Sequence, residues 1–384
     1  RAYDYVRNHF FLDTAYFKVW DLFYSTFPPV LPASTGSLVV KEIVVWESTT
    51  EVSVVQANEA VAYADLDPIQ YKRGQRYPDA MKNGDIKAGE VERGRFVQLD
   101  PKRYEVDVNL GTLTILNLRS DRFYAVSYRY EGESALTDED DLYVGTLPRN
   151  AGEKDTLILK LVSRQAMQPG FKTLWKRLMK NVYTVGLTNV NPTDANIGMW
   201  YYRNTNDSTD ILEGAPDKVV TIFKLDQVNN STGALPPDGI FDARQPVFNP
   251  QRGEITFPNR EPFRDGLREY FAKQGNAQLA EQYVFNEVYD TTDQAARLNT
   301  AKDRFLIVGE ASGTASGSRI PLAFNVAPGS VKVKLDGQDL REGVDYSVDY
   351  YGGTLSLLNP RATLPNANLS VEYERNDVFN LTTR

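Results

Sequence analysis

The chain has no cysteine and a single histidine, His9, among its 384 residues. Without thiols there is no disulfide framework, and one imidazole leaves no zinc site of the Cys/His kind. Mechanisms that lean on imidazole have one candidate, His9, with no evident nucleophile beside it, so a packed or interface histidine is the expected role. No run approaches the roughly eighteen apolar residues of a spanning helix. Glycine-rich phosphate loops, dinucleotide fingerprints and nucleophile elbows are missing as well. Basic residues number 43 against 51 acidic ones, a net charge of −8. That balance disfavours a phosphate-binding surface and makes nucleic acid a poor partner. The chain opens on Arg1, with no charged n-region and no apolar h-region, and we expect it to be a piece of a longer precursor.

What is present is aromatic and repetitive. The 22 Tyr and 18 Phe suit a β-rich protein. Residues 104–117 align without a gap on residues 346–359, and eight of the fourteen positions are identical. About a dozen residues later each copy shows another alternating run, Ala125–Tyr130 and Asn368–Tyr373. A repeat of this kind makes the chain modular. In each copy Tyr104, Val106 and Val108, or Tyr346, Val348 and Tyr350, fall at period two, as in a strand with one apolar face. Gly111 and Gly353 sit where a turn must accept positive φ. Thr112–Leu116 and Thr354–Leu358 read as return strands, punctuated by Asn117 and Asn359. Each copy is thus a predicted hairpin followed by a third strand, with Asp107 and Asp349 as carboxylates on a solvent face.

Four segments follow from pattern. Residues 1–29 form an aromatic helical segment, with Leu12, Ala15, Tyr16, Val19 and Phe23 as a stripe ended by Pro28-Pro29. Residues 30–145 form a first β module, opening on a Pro/Ser/Gly linker and the strands Ile43–Trp46 and Val52–Val55. Its edge is the acidic break Asp138–Asp141, read as a solvated loop. Residues 146–300 form a mixed middle module, with strands at Thr156–Val162, Met199–Arg203 and Val219–Leu225. Phe171, Leu174, Trp175, Leu178 and Met179 mark an amphipathic helix, with Lys172, Lys176, Arg177 and Lys180 on its other side. A basic face of this kind can meet membranes, but a short helix laid across a sheet is the expected arrangement. Further helices are expected at 261–273 and 276–289, separated by Gly275. Residues 301–384 form the second β module. The fold class is α+β, mainly β, with tandem antiparallel, sandwich-like modules and interspersed helices.

Chemistry is sparse. Asp226, Asn229, Asn230, Asp238 and Asp242 crowd oxygen ligands into one loop, as a calcium ion requires, yet their spacing is not that of an EF-hand. Asx-turns account for the same composition. Paired carboxylates could serve a glycosidase, but no spacing singles out a pair. Asn206, Asn229, Asn230, Asn368 and Asn380 each open a glycosylation triplet, a pattern short enough to arise by chance. No catalytic, cofactor-binding or metal-ligating residue is assigned, and no cofactor is expected.

Several phrases, taken in order, resemble one family. They are His9-Phe-Phe-Leu12, Ile43-Val-Val-Trp46, Trp175 to Tyr183, Pro237-Asp-Gly-Ile-Phe-Asp242 and Ile255 to Phe263. Phe324 to Val331 follows, running into Val344 to Tyr350 and Gly353-Thr-Leu. The chain resembles the SprA/Sov family, the outer-membrane translocon of the type IX secretion system. That resemblance implies a very large single-chain β-barrel that exports folded cargo and supports gliding motility. It implies that this chain is an insert on one face of the barrel, with no catalytic residues to carry over. Its expected partners are other secretion subunits and exported cargo. The expected place is the outer membrane or cell surface, on the extracellular rather than the periplasmic side, where bacterial barrels carry their longer loops. A cell-surface adhesin or carbohydrate-binding module, calcium-dependent or not, is the alternative.

Overall fold

Strands hold 31% of the residues and helices 19%, which makes the protein α+β and mainly β. The structure is a computed structural model that describes residues 1–31, 38–51, 56–116, 118–119, 121–134, 136–152, 155–204, 207–315, 319–322, 326–350, 354–357, 359–363 and 369–374. The expected features at 32–37, Val52–Val55, Asn117, Asn206, Gly353, Leu358, Asn368 and Asn380 lie outside these residues. The chain divides into two compact units, each assembled from two stretches: 1–182 with 258–304, and 183–257 with 305–384.

In the first unit the strands run β1 (His9–Phe11), β2 (Val40–Thr49), β3 (Asn58–Tyr63), β4 (Val91–Gln98), β5 (Tyr104–Asp107), β6 (Thr112–Ile115), β7 (Tyr124–Tyr130), β8 (Leu142–Val144) and β9 (Leu157–Ser163). Five of them close into a ring. β2 pairs antiparallel with β4, β4 with β3, β9 with β7, and β7 with β2. β3 and β9 complete the circle as a parallel pair. Closure leaves these strands no open edge to template pairing with another chain. The interior is filled by Trp46, Phe96, Leu157, Leu159 and Leu161, with Ala60, Ala62 and Ala125 as the small partners that make room for them. The Trp46 indole donates to the Ser127 hydroxyl, so even this polar atom is satisfied inside.

The first repeat hairpin lies in a separate three-stranded sheet, β1-β6-β5. Asp107 shapes its turn: its Oδ1 accepts the N–H groups of Asn109 at 3.0 Å and Leu110 at 2.9 Å. Gly111 follows at φ +60°, and a Cβ there would stand 2.1 Å from the Tyr16 ring, so both backbone and space demand glycine. Tyr16 opens helix α1 (Tyr16–Phe23), which buries Tyr16 and Val19 of the expected stripe together with Phe17 and Trp20, while Ala15 is exposed and Phe23 half-buried. Phe11 meets Phe17 and Trp20 edge-on, with ring centroids 4.9 and 5.5 Å apart. The Trp20 indole donates to the Pro258 carbonyl at 2.8 Å, so the aromatic segment has its packing partner within the unit.

The basic amphipathic helix is shorter than its sequence pattern. Helix α2 spans Lys172–Arg177, and the chain turns extended at Leu178. Leu174 enters the barrel core, as a helix laid across a sheet should. Arg177, expected on the solvated side, is instead 1% exposed. Its guanidinium donates to the carbonyls of Leu12 at 3.0 Å, Ala64 at 3.0 Å and Leu161 at 2.6 Å. Burial lowers its pKa from the ordinary arginine value. Lys160 is buried in the fully covered β9 and pairs with Asp13. The acidic break is likewise not wholly solvated: Asp141 is fully buried against Arg129 and Lys41, while Asp138 and Glu139 stay exposed. The helix expected over 276–289 breaks at Val284, because the N–H of Phe285 donates to the Phe263 carbonyl at 2.9 Å instead of continuing a helical ladder.

In the second unit, Tyr346–Asp349 pairs with Thr354–Leu357 in the register of β5 with β6. Tyr346 faces Leu357 as Tyr104 faces Ile115, and Val348 faces Leu355 as Val106 faces Leu113. The likeness extends to the added strand. Arg319–Pro321 lies on Ser356, Leu355 and Thr354 as His9–Phe11 lies on Thr114, Leu113 and Thr112. The third repeat strand, Leu369–Glu372, pairs with Lys332–Leu335, matching β7 with β2. The two sheets share one core of Val331, Val333, Leu335, Tyr346, Leu355 and Leu357, and the Tyr346 hydroxyl donates to the Val331 carbonyl at 2.9 Å. Elsewhere in this unit Asn196–Asn204 pairs with Phe305–Glu310. The segment expected as a strand at Val219–Leu225 is a short helix, Val219–Ile222, ended by Lys224 at φ +58°. Its Val219, Ile222 and Phe223 are spaced to bury one helical face, which an unbroken apolar run does not distinguish from a covered strand.

Replacing Arg177 with Met should lower the unfolding free energy by about 3 kcal/mol or more, because three buried carbonyls lose their donor. Urea unfolding reads this directly. A wild-type midpoint for the Met variant would mean that the guanidinium ties nothing together.

Candidate functional site

His9, the one imidazole, sits in β1 opposite Thr114 and is buried. Its carbonyl accepts the N–H of Met179 at 3.0 Å. Its place is structural, inside the strand that completes the first repeat sheet.

The oxygen-rich loop folds on itself. Asp226 accepts from the Thr221 hydroxyl at 2.6 Å and from the Gly239 N–H at 2.8 Å. Asp242 accepts the N–H groups of Gln227 at 2.7 Å and Val228 at 3.3 Å. Asn229 Oδ1 takes those of Ser231 and Thr232, and Asp238 takes those of Asn230 and Ile240. The Arg244 guanidinium reaches both Asn230 Oδ1 and Asp242. These oxygens face N–H donors and a cation, the opposite of what a hard metal ion needs. Burial raises the pKa of both Asp226 and Asp242. Among the described residues no group of three or more His, Cys, Asp or Glu side chains could hold a metal.

A groove in the first unit gathers more chemistry. It encloses about 380 Å³ between the α2 segment and residues 260–290. Lys172, Lys176 and Lys180 come to it from one side of the chain, Arg260, Glu261, Arg264 and Asp290 from the other. A wide helical turn, Pro262–Gly266, runs directly into the helix Leu267–Lys273, which stops before Gly275 at φ +76°. That turn carries Arg264 between two carboxylates, with Nε 2.7 Å from Glu261 and Nη1 2.7 Å from Asp290. The same guanidinium lies 4.9 Å from the Tyr289 ring centroid. Arg260 grips Asp21 through two nitrogens, at 3.0 and 3.1 Å, and covers Phe17. The Trp175 indole donates to the Tyr289 carbonyl at 2.5 Å, which joins the two stretches of the unit across the floor.

Lys180 is the most perturbed group here. It is buried, with Nζ 4.5 Å from the Trp175 ring centroid, and it donates to the carbonyls of Trp175 and Leu178. Burial lowers its pKa from 10.5 to about 7, with Glu261 and Asp290 opposing and Arg264 and Arg7 adding to the shift. Burial raises the pKa of Glu261, against the pull of Arg264. Because Arg264 holds both carboxylates of the groove, they serve as its clamp, not as a separated acid and base. Sequence reasoning placed Lys180 on a solvated face and did not select Arg260, Glu261, Arg264 or Asp290. The one signal available was the basic run from 172 to 180 beside Trp175. Compared with known proteins, the chain matches no protein-family model and no curated protein.

Two outcomes follow. Lys180 binds its proton more weakly folded than unfolded, so stability should rise as pH climbs from about 7 towards 10, until tyrosines begin to ionise. Lys180→Met should flatten that rise in chemical denaturation; an unchanged slope would assign it to other groups. Millimolar calcium should leave the melting temperature of the protein unaltered, and an increase of several degrees would place a cation in the Asp226–Asp242 loop.

Proposed function

We propose that this chain is a non-enzymatic region of a type IX secretion outer-membrane translocon of the SprA/Sov kind. It forms a cap or vestibule that contacts partner subunits or exported cargo. The observation that carries the reading is the ordered series of phrases from His9–Leu12 to Val344–Tyr350. The fold supports it by giving those phrases scaffold roles. His9–Phe11 completes the first repeat sheet, Ile43–Trp46 lies in the barrel, and Tyr346–Asp349 begins the second hairpin. No helix of the described residues is long and apolar enough to cross a membrane.

An adhesin or carbohydrate-binding module would need exposed aromatic faces in a groove. Trp175 and Tyr289 line the groove of the first unit but are only 6% and 4% exposed. The translocon reading therefore has the better support.

Protease treatment of whole cells expressing the intact parent tests the assignment to the extracellular side of the outer membrane. Cleavage within this region before permeabilisation is the expected result. Cleavage only after the outer membrane is opened would move the region to the periplasm.

A further inference from the structure

The two repeat modules differ at one edge. In the first, β2 lies between β4 and β7, and the far side of β7 is covered by β9 and β8. Val126 there faces Lys160, and Tyr128 faces Val144, both in antiparallel pairings. In the second, Lys332–Leu335 lies likewise between Gln338–Asp339 and Leu369–Glu372. The repeat aligns Leu369 with Val126 and Val371 with Tyr128. Among the described residues, however, Leu369–Glu372 has no strand on its far side. The hydrogen-bond phase shows what that side offers. The Leu340 N–H donates to the Val333 carbonyl at 2.7 Å, so Val333 bonds towards Gln338–Asp339. Lys332 and Lys334 therefore bond to their partners Glu372 and Ser370, because successive residues of an antiparallel ladder bond to opposite sides. The N–H and carbonyl groups of Leu369 and Val371 then point outward, and among the described residues nothing receives them. Unpaired strand groups of this kind are a template for a further strand.

We propose that the edge of Leu369–Glu372 takes up an antiparallel strand donated by another polypeptide, with apolar and polar residues in strict alternation. The position is the one that β9 and β8 fill on β7, and strand addition is an established way to bind an extended peptide. The two faces of the edge set the alternation. Leu369 and Val371 are half-buried against the core of Val333, Leu335 and Leu357, so an added strand continues that core with apolar side chains. Ser370 and Glu372 are exposed on the other face beside Lys332 and Lys334, so its intervening residues are polar. This distinguishes the donor from β9, which lies in a closed ring and is buried on both faces. A lysine or arginine in the donor suits the position opposite Glu372. Leu369–Glu372 carries no base of its own, and chains of net charge −8 repel one another, which disfavours a second copy as the donor. None of this rests on the secretion reading: the titration below can fail where the protease experiment succeeds, and the reverse.

Fluorescence anisotropy of fluorescein-Gly-Thr-Val-Lys-Val-Thr-Val-Thr-amide, titrated with the whole chain, tests it. The expected dissociation constant is below about 1 mM. With the valines over Leu369 and Val371, the valine N–H groups face the edge and those of lysine and threonine face away. N-methylation of the middle valine should therefore weaken binding at least about fivefold, and N-methylation of the lysine should not. Val371→Pro removes an outward N–H while sparing the bonds to Lys332 and Lys334, and should weaken binding to the same degree. If that variant unfolds, the pair of N-methylated peptides on the wild-type chain still decides. Equal loss from both N-methylations, or no binding at millimolar concentration, would overturn the proposal. So would a concentration-dependent dimer that Val371→Pro abolishes, because the occupant would then be a second copy.

Discussion

One guanidinium holds the first unit together. Arg177 is buried where three segments far apart in sequence turn a carbonyl towards it: Leu12 after β1, Ala64 after β3 and Leu161 within β9, beside the irregularity in its pairing with β7. Each leaves a carbonyl pointing inward, and a buried carbonyl without a donor is destabilising. Arginine meets them at once because its donors are fixed in a plane and its charge is not readily lost. Lys160 and Asp13 form a second buried ionic tie close by, and Arg177 itself helps to lower the pKa of Lys160, after burial. Asp13 feels burial first, yet Lys160 and the N–H of Ala15 keep its pKa below the ordinary carboxylate range. The same carboxylate thus receives the start of α1 and the barrel wall. Ring closure, helix placement and the N-terminal strand all converge on this polar centre.

The repeat was the most legible part of the fold. Alternation at Tyr104–Val108 and Tyr346–Tyr350, with Gly111 between two runs, specifies a hairpin through local physics alone, and both hairpins keep one register. What pattern could not supply was the strand each hairpin borrows. His9–Phe11 and Arg319–Pro321 occupy the same register positions but share no sequence likeness. Their common property is an extended backbone able to satisfy β6 or its counterpart, which side-chain periodicity does not report. Ring closure through β3 and β9 was hidden for a related reason. A parallel pairing of residues 60–63 with 157–160 leaves no trace in the alternation of either strand.

Helix content was legible by face but not by length. Phe171, Leu174 and Trp175 announce a helix, and it forms; Arg177 and Lys180 then break the polar side of the pattern by turning inward. A long cationic side chain satisfies an amphipathic template wherever its tip ends up. The groove escaped sequence reading because its two walls come from stretches about eighty residues apart. Neither Arg260–Arg264 nor Tyr289–Asp290 carries a motif of its own. At the oxygen-rich loop Asp226–Asp242 composition left a ligand and Asx-turns both open, and in the structure backbone N–H groups take the oxygens.

The discontinuity of the first unit sets an order of assembly. A chain that emerges from its amino end finishes β9 and α2, then must carry the whole 183–257 excursion before residue 258 arrives. Until then the indoles of Trp20 and Trp175 lack the carbonyls of Pro258 and Tyr289 that receive them. The returning stretch acts as a late fastener. During synthesis the molecule therefore passes through a stage in which its aromatic seams are open, and only the arrival of the second stretch seals them.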